Sequence, residues 1–365
     1  MNSKERVLIA LDHKEPDRVP KYIFYTPEVF KKISDILNID TGSNPYLFDI
    51  ELENDLLMTY RGISNIPGVL HSEVSFDKNK IFKDSWGIGY KRIDYGKGEG
   101  KGTYTEMVYH PLSDIKNYDS YRFPDPLVNE DYEDHRKFVK KYGKDYAIIA
   151  AAPATVFEGS WYLRGFDNFF MDLIDNQDFA VELMYKVANY HIAVAKEMIK
   201  IGADIVWFGD DVGMQEGMLI SPQQYRKLLK PVYAYVIEEV KNFDKDIKVA
   251  YHTDGYVEPV IPDFIEIGID ILEAVQPSCM NPGKLKKKFG KNLSFWGGVD
   301  VQHVMPFGTT EEVVNEVREK IKTVAPGGGF IFCTAHCVQP SDRAVDNIFT
   351  YYWAANKYGN YPIKL

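Results

Sequence analysis

Six short apolar runs, each followed by a polar turn and a helix-like stretch, constrain this chain more than any other feature. They are "YAIIAAAP" (Tyr146 to Pro153), "DIVWFGDD" (Asp204 to Asp211), "IKVAYHTDG" (Ile247 to Gly255), "DILEAVQP" (Asp270 to Pro277), "LSFWGGVD" (Leu293 to Asp300) and "GFIFCTAHC" (Gly329 to Cys337). Apolar residues stand at successive positions rather than at alternate ones. Parallel strands covered by helices on both faces have that pattern. The stretches between the runs carry helix signals. "SPQQYRKLLKPVYAYVIEEVKNF" opens with Ser221 as a capping residue and Pro222 at the first helical position. Pro231 inside it should kink or divide the helix. Thr309 and Glu312 stand in capping-box relation, and Val313, Val317 and Ile321 then line one helix face.

Six βα units imply a parallel sheet. One or two further strands from the N-terminal part would close a (β/α)8 TIM barrel, the α/β architecture expected here. "VPKYIFY" (Val19 to Tyr25) is the candidate first strand. An open doubly wound sheet is the alternative. Its nucleotide-binding versions lose support, because no G-x-G-x-x-G follows a strand and no G-x-x-x-x-G-K-[ST] occurs. Residues from about 67 to 112 break the pattern. "IFKDSWGIGYKRIDYGKGEGKGTYTEMVYHPL" alternates apolar and polar residues about a Gly/Lys-rich tip. It reads as an antiparallel β-hairpin inserted in the N-terminal part of the barrel, with a mobile tip at 96–102. Residues 1–365 together are expected to form a single barrel domain.

The net charge of −10 argues against a nucleic-acid surface, which needs a basic patch. The one basic run, "KLKKKFGK" (Lys284 to Lys291), reads as a solvated helix face. No stretch approaches the roughly 18 apolar residues of a membrane span, and the N-terminal residues do not resemble a signal peptide. Three cysteines, Cys279, Cys333 and Cys337, are too few for a disulfide framework and point to a reducing cytoplasm.

Catalytic groups of a barrel lie at the C-terminal ends of its strands. Here those ends carry "EGSWYLRG", "GDDVGMQEG", "HTDG", "QPS", "GGVD" and "TAHC". Asp210, Asp211, His252, Asp254, Gln276, Asp300, His336 and Cys337 are thus expected at one mouth. Any one of them alone is more often a cap or turn former; the joint pattern carries the inference. His252 and Asp254 are two apart on an extended segment, so their side chains share a face. Either both point into the mouth, or Asp254 caps the next turn while Gly255 supplies a positive φ. "CTAHC" offers two thiols and an imidazole. With His252 it could build a zinc site, although the spacing is not that of a zinc finger. Cys279 lacks such neighbours and reads as structural. No G-x-S-x-G elbow and no H-E-x-x-H is present, so nucleophilic hydrolysis and metalloprotease chemistry have no support.

The chain resembles the uroporphyrinogen decarboxylase superfamily, and within it the cobalamin-dependent methyltransferases of demethylase type. The resemblance rests on "ERVLIALDHKEPDRVP", "DSWGIGYKR" with "YTEMVYHPL", "GDDVGMQEGMLISPQQYRKLLKP", "YHTDGYVEPVIPDFIEIGIDILEAVQP", "FWGGVD" and "APGGGFIFCTAHCVQP", and covers nearly the whole chain. It implies a (β/α)8 barrel. True decarboxylases carry an arginine-rich segment that grips substrate carboxylates. The matching stretch here is "YIFYTPEVFKK", with no arginine. His336 matches the decarboxylase active-site histidine. The zinc methyltransferases of the family carry His-x-Cys where this chain has His252-x-Asp254. Their later Cys position holds His336, with Cys337 next to it. An N/O site of this kind suits a Lewis acid acting on an ether or amine better than thiol activation.

What the resemblance implies is a methyl group moved from a small methylated substrate, such as a methoxylated aromatic, to a corrinoid protein. Cobalamin would be carried by that partner. Zn²⁺ would be held by His252 and His336, with Asp254, Asp211 or Glu216 and with Cys337 nearby, while Asp210, Asp211, Asp254 and His336 form the catalytic set. Two rivals follow. One is a metal-free tetrapyrrole decarboxylase, with Asp210, Asp211 or Asp254 on pyrrole N–H groups. The other is a non-catalytic module that binds a corrinoid protein.

Overall fold

The apolar runs form the strands of a parallel barrel. The computed structural model describes residues 1–42, 44, 46–61, 80–128 and 132–365. Its strands are β1 (Leu56–Tyr60), β2 (Phe82–Lys83), β3 (Gly89–Tyr95), β4 (Gly102–Tyr109), β5 (Ala147–Ala152), β6 (Ile205–Gly209), β7 (Lys248–His252), β8 (Ile271–Ala274), β9 (Ser294–Val299) and β10 (Phe330–Thr334). Strands β1 and β5 to β10 pair in parallel and in chain order as one seven-stranded sheet. All six apolar runs are therefore barrel strands. β1, "LLMTY", joins them as a seventh that the repeating pattern did not single out.

Val19–Tyr25, the candidate first strand, fills the remaining gap without becoming a regular strand. Tyr22 donates its N–H to the Phe332 carbonyl (2.9 Å), and Phe332 donates back to Pro20 (2.8 Å). On the other side Asp55 N–H donates to the Lys21 carbonyl (3.0 Å). The segment thus bridges β10 to the residue that precedes β1. Pro20 has no N–H to give to a ladder, so only isolated bridges form there.

The period of two along each strand sorts side chains between two cores. Leu56, Met58, Ile149, Ile205, Trp207, Ala250, Ile271, Trp296 and Ile331 fill the barrel interior. Val7 and Leu11 of the first helix (Ser3–Leu11) plug its N-terminal end. Outward residues such as Val206, Phe208, Val249 and Leu272 pack beneath the helices. In the Ser221 stretch, a π-helical turn over Tyr225–Leu229 separates Pro222–Gln224 from the helix Lys230–Phe243. Pro231 cannot donate to the preceding turn, which accounts for the division. The capping box at Thr309 forms, with Glu312 Oε2 accepting from Thr309 N–H at 2.6 Å.

The insertion is an antiparallel sheet of order β2-β3-β4. β3 and β4 form the expected hairpin, and β2 adds a short third strand; residues 67–79 of the expected range lie outside the described residues. The tip, expected to be mobile, is tied down. Glu99 pairs with Lys32, and Tyr95 Oη donates to Gln339 Oε1 (2.5 Å) on the connection after β10. Among the described residues no helix is long and apolar enough to cross a membrane.

Candidate active site

The ends of β6, β7 and β8 bring acids and imidazoles together at the C-terminal face of the barrel. Asp211 follows β6, His252 ends β7, and Asp254 lies two residues on. One ligand atom from each of these three lies within 4.8 Å of the other two. Their approach is set by backbone packing. Gly255 adopts φ +80°, and a Cβ there would come within 2.5 Å of the Met214 backbone N. A Cβ on Gly213 would meet the Asp254 carbonyl at 2.4 Å. Glycine at both positions lets the β6 and β7 connections touch. Asp254 N–H then donates to Asp211 Oδ1 at 2.7 Å.

His252 is held from behind. Its Nδ1 lies 2.5 Å from Glu273 Oε2, and the same carboxylate oxygen accepts from Trp207 Nε1 at 3.1 Å. Nε2 is left toward the mouth, 3.6 Å from Asp211 Oδ1. Burial disfavours the imidazolium, but the charge and hydrogen bond of Glu273, then Asp254 and Asp211, raise its pKa well above the ordinary value. Asp254 does not close back on its own turn. Its Oδ1 accepts from Gln276 Nε2 at 2.9 Å, and its Oδ2 lies 3.7 Å from His336 Nε2. Burial raises its pKa, with His252 and His336 opposing.

The other residues expected at the mouth are placed variously. His336 is exposed and meets the cluster through Asp254. Burial, then Glu273 and Asp254, push the Cys337 thiol up to about 12, so it is protonated near neutral pH. Neither Cys337 nor the exposed Glu216 supplies an atom to the three-residue group. Asp210 turns away from the mouth. Its fully buried carboxylate accepts from Thr155 Oγ1 (2.9 Å) and from the N–H groups of Val156 (2.5 Å), Phe157 (3.1 Å) and Glu158 (2.7 Å). It anchors the start of the helix Phe157–Arg164. Asp300 likewise caps a turn, accepting from the N–H groups of Gln302, His303 and Val304.

Two carboxylates went unnoticed in the sequence. Glu273 sits inside β8, where its register partner is His252. A lone acid in an otherwise apolar strand was the available signal. Glu158 opens the helix that Asp210 anchors. Burial, then the charges of Asp211 and Asp210, raise its pKa. The "EGSWYLRG" strand end contained it, but no pattern distinguished it from a surface acid.

A parallel barrel with an acidic, imidazole-bearing mouth is the class that this geometry defines. Its relatives are specific. The pattern of the uroporphyrinogen decarboxylase (URO-D) family matches residues 81–358. The methylcobamide:CoM methyltransferase MtbA of Methanosarcina acetivorans is 21% identical over 342 residues, covering 91% of this chain and 93% of that protein. A methylated-thiol–coenzyme M methyltransferase of Methanosarcina mazei is 24% identical over 184 residues, 50% of this chain and 47% of the relative. Among solved structures, a methyltransferase from Methanosarcina mazei superimposes with a TM-score of 0.70 at 18% identity, covering 98% of this chain and 99% of its own. The chain belongs to the uroporphyrinogen decarboxylase family. It is an enzyme that transfers methyl groups.

Proposed function

We propose that this protein is a corrinoid-dependent demethylase. It takes a methyl group from a small methylated compound, such as a methoxylated aromatic, and delivers it to the Co(I) of a corrinoid carried by a partner protein in the cytoplasm. The observation that carries the reading is the Asp211–His252–Asp254 group with Glu273 behind His252. An imidazole that gives one ring nitrogen to a carboxylate and presents the other beside two acids has the arrangement of a metal ligand. These N and O donors fit Zn²⁺, with His336 next to Asp254 as a further ligand. When bound, the ion supplies a Lewis acid at the methyl-bearing heteroatom.

The chain's own residues do the rest. Glu273 fixes the ring orientation of His252. Gln276 locks Asp254 through Oδ1. Glu158, pushed toward its protonated form, stands beside Asp211. Trp207, with its ring 5.0 Å from that of His252, lies beneath the cluster. The acids disfavour a polycarboxylate such as a uroporphyrinogen, since ionised Asp211 and Asp254 would repel it and "YIFYTPEVFKK" supplies no arginine.

Zinc analysis of the purified protein and of His252→Ala and His336→Ala tests this, alongside demethylation with a reduced corrinoid acceptor. Stoichiometric zinc that falls away in His252→Ala, together with methyl transfer, is expected. A preparation with no zinc and no demethylation would sink the proposal. No transfer by the wild-type protein to any acceptor, with partner binding that survives His252→Ala, would leave the non-catalytic module instead.

A further inference from the structure

An aromatic path leads outward from the mouth. Tyr162 Oη donates to Glu158 Oε1 at 3.4 Å. Trp161 packs against Tyr162 with ring centroids 4.3 Å apart and edge-on against Phe166 at 5.5 Å. Phe166 then meets Phe170 at 4.3 Å. The path ends on the helix Phe166–Asp175, of which Phe169, Asp172 and Leu173 face the core. On its other side Phe166, Met171 and Ile174 are 44%, 55% and 61% exposed. Asp167 and Asp175, both exposed, flank them. Met214 after β6 and Phe307 after β9 also expose apolar surface on connections that leave the C-terminal ends of strands.

We propose that the Phe166–Met171–Ile174 face is the docking surface for the corrinoid-carrying acceptor protein, whose matching face is apolar with a basic rim. The inference rests on the methyl transfer proposed above. A corrinoid held by a protein reaches this site only if its carrier covers the mouth-side connections, and this apolar face is continuous with the mouth through the aromatic path. Phe, Met and Ile exposed together behave as interface anchors when desolvated by a partner. The acidic flank and the net charge of −10 select a basic partner surface. The same flank opposes a second copy of this chain, because a two-fold contact would set Asp167 and Asp175 against themselves.

The test compares two acceptors, a corrinoid protein of the source organism reconstituted to Co(I) and free cob(I)alamin. The variants are Met171→Lys/Ile174→Lys and, separately, Asp167→Lys/Asp175→Lys. KM for the protein acceptor should rise at least about tenfold in each. kcat/KM with free cob(I)alamin should stay within about twofold, since these positions are exposed. An unchanged KM for the protein acceptor overturns the docking face while methyl transfer stands. An equal loss with both acceptors overturns it too, as does a wild-type dimer that the Met171/Ile174 variant splits. A wild-type protein active with neither acceptor fails at the proposed function itself and takes the docking face with it.

Discussion

At the N-terminal end of the barrel, Asp55 is fully buried, yet the charges around it are matched. It accepts from Arg6 Nη1 (2.7 Å), Arg18 Nη1 (2.6 Å), the Lys21 backbone N–H (2.9 Å) and Ser3 Oγ (2.9 Å). Arg6 also grips Asp17 with two bonds of 2.7 Å, and Lys21 reaches Glu53 at 3.1 Å. At the other end Glu158, Asp211, Asp254 and Glu273 gather about His252 and His336. There the acids outnumber the imidazoles, and Glu158 and Asp254 are both raised. The same residue types thus close one end and leave the other electrostatically incomplete. A matched network holds elements together; an unmatched one is poised for a cation or a substrate.

Substitutions at the two ends should therefore separate stability from activity. Asp55→Ala strands Arg6 and Arg18 beside a buried void, and about 3–5 kcal/mol of unfolding free energy should go. Urea titration measures it; kcat/KM of the folded fraction should hold. His252→Ala should do the reverse. Methyl transfer should fall about a thousandfold, the roughly 4 kcal/mol of a lost cation-held group, with a smaller drop in urea midpoint than Asp55→Ala shows, because Glu273 keeps its hydrogen bond from Trp207. A large stability loss in His252→Ala would collapse the distinction between the two ends.

Asp49 sharpens the comparison, because it is buried toward the matched end without a cation. Burial raises its carboxyl to about 7, against hydrogen bonds from Asn54 and Tyr25. The folded protein keeps a proton that the unfolded chain releases near pH 4, its pKa being about 3.9 there. Its contribution is full below that value, falls as pH rises toward about 7, and is flat above. Asp49→Asn should remove a pH-dependent loss on the order of 4 kcal/mol between pH 4 and pH 8. Parallel pH–stability curves for the two proteins would contradict it. The smallest effect expected is at Glu273→Gln, where zinc affinity should weaken about 10- to 100-fold with His252 still in place. Competition with a metal indicator reads it.

How much of this was legible varies by element. The six apolar runs announced six barrel strands, because strands buried on both faces must be apolar throughout. β1 escaped, a short apolar run ahead of the inserted stretch that stood outside the repeating pattern. The polar strand ends marked where the mouth would be. They did not say which side chains enter it. Asp210 and Asp211 are adjacent, and alternation along the chain sends one to the Phe157 helix and the other to His252. Glu273 stood out as a lone acid in its run, but a run apolar on both faces does not reveal which of its positions point inward. The β7–β8 register settles that by setting His252 against Glu273.

The sequence by itself determined the barrel class, the inserted hairpin and the polar character of the strand ends. These follow from hydrophobic pattern, turn chemistry and motif, all local along the chain. Tertiary structure alone decided which carboxylates face His252, which serve as caps, and that Gly213 and Gly255 let two connections touch. Such outcomes depend on register and backbone approach between segments some 20 to 100 residues apart, information that no local pattern carries.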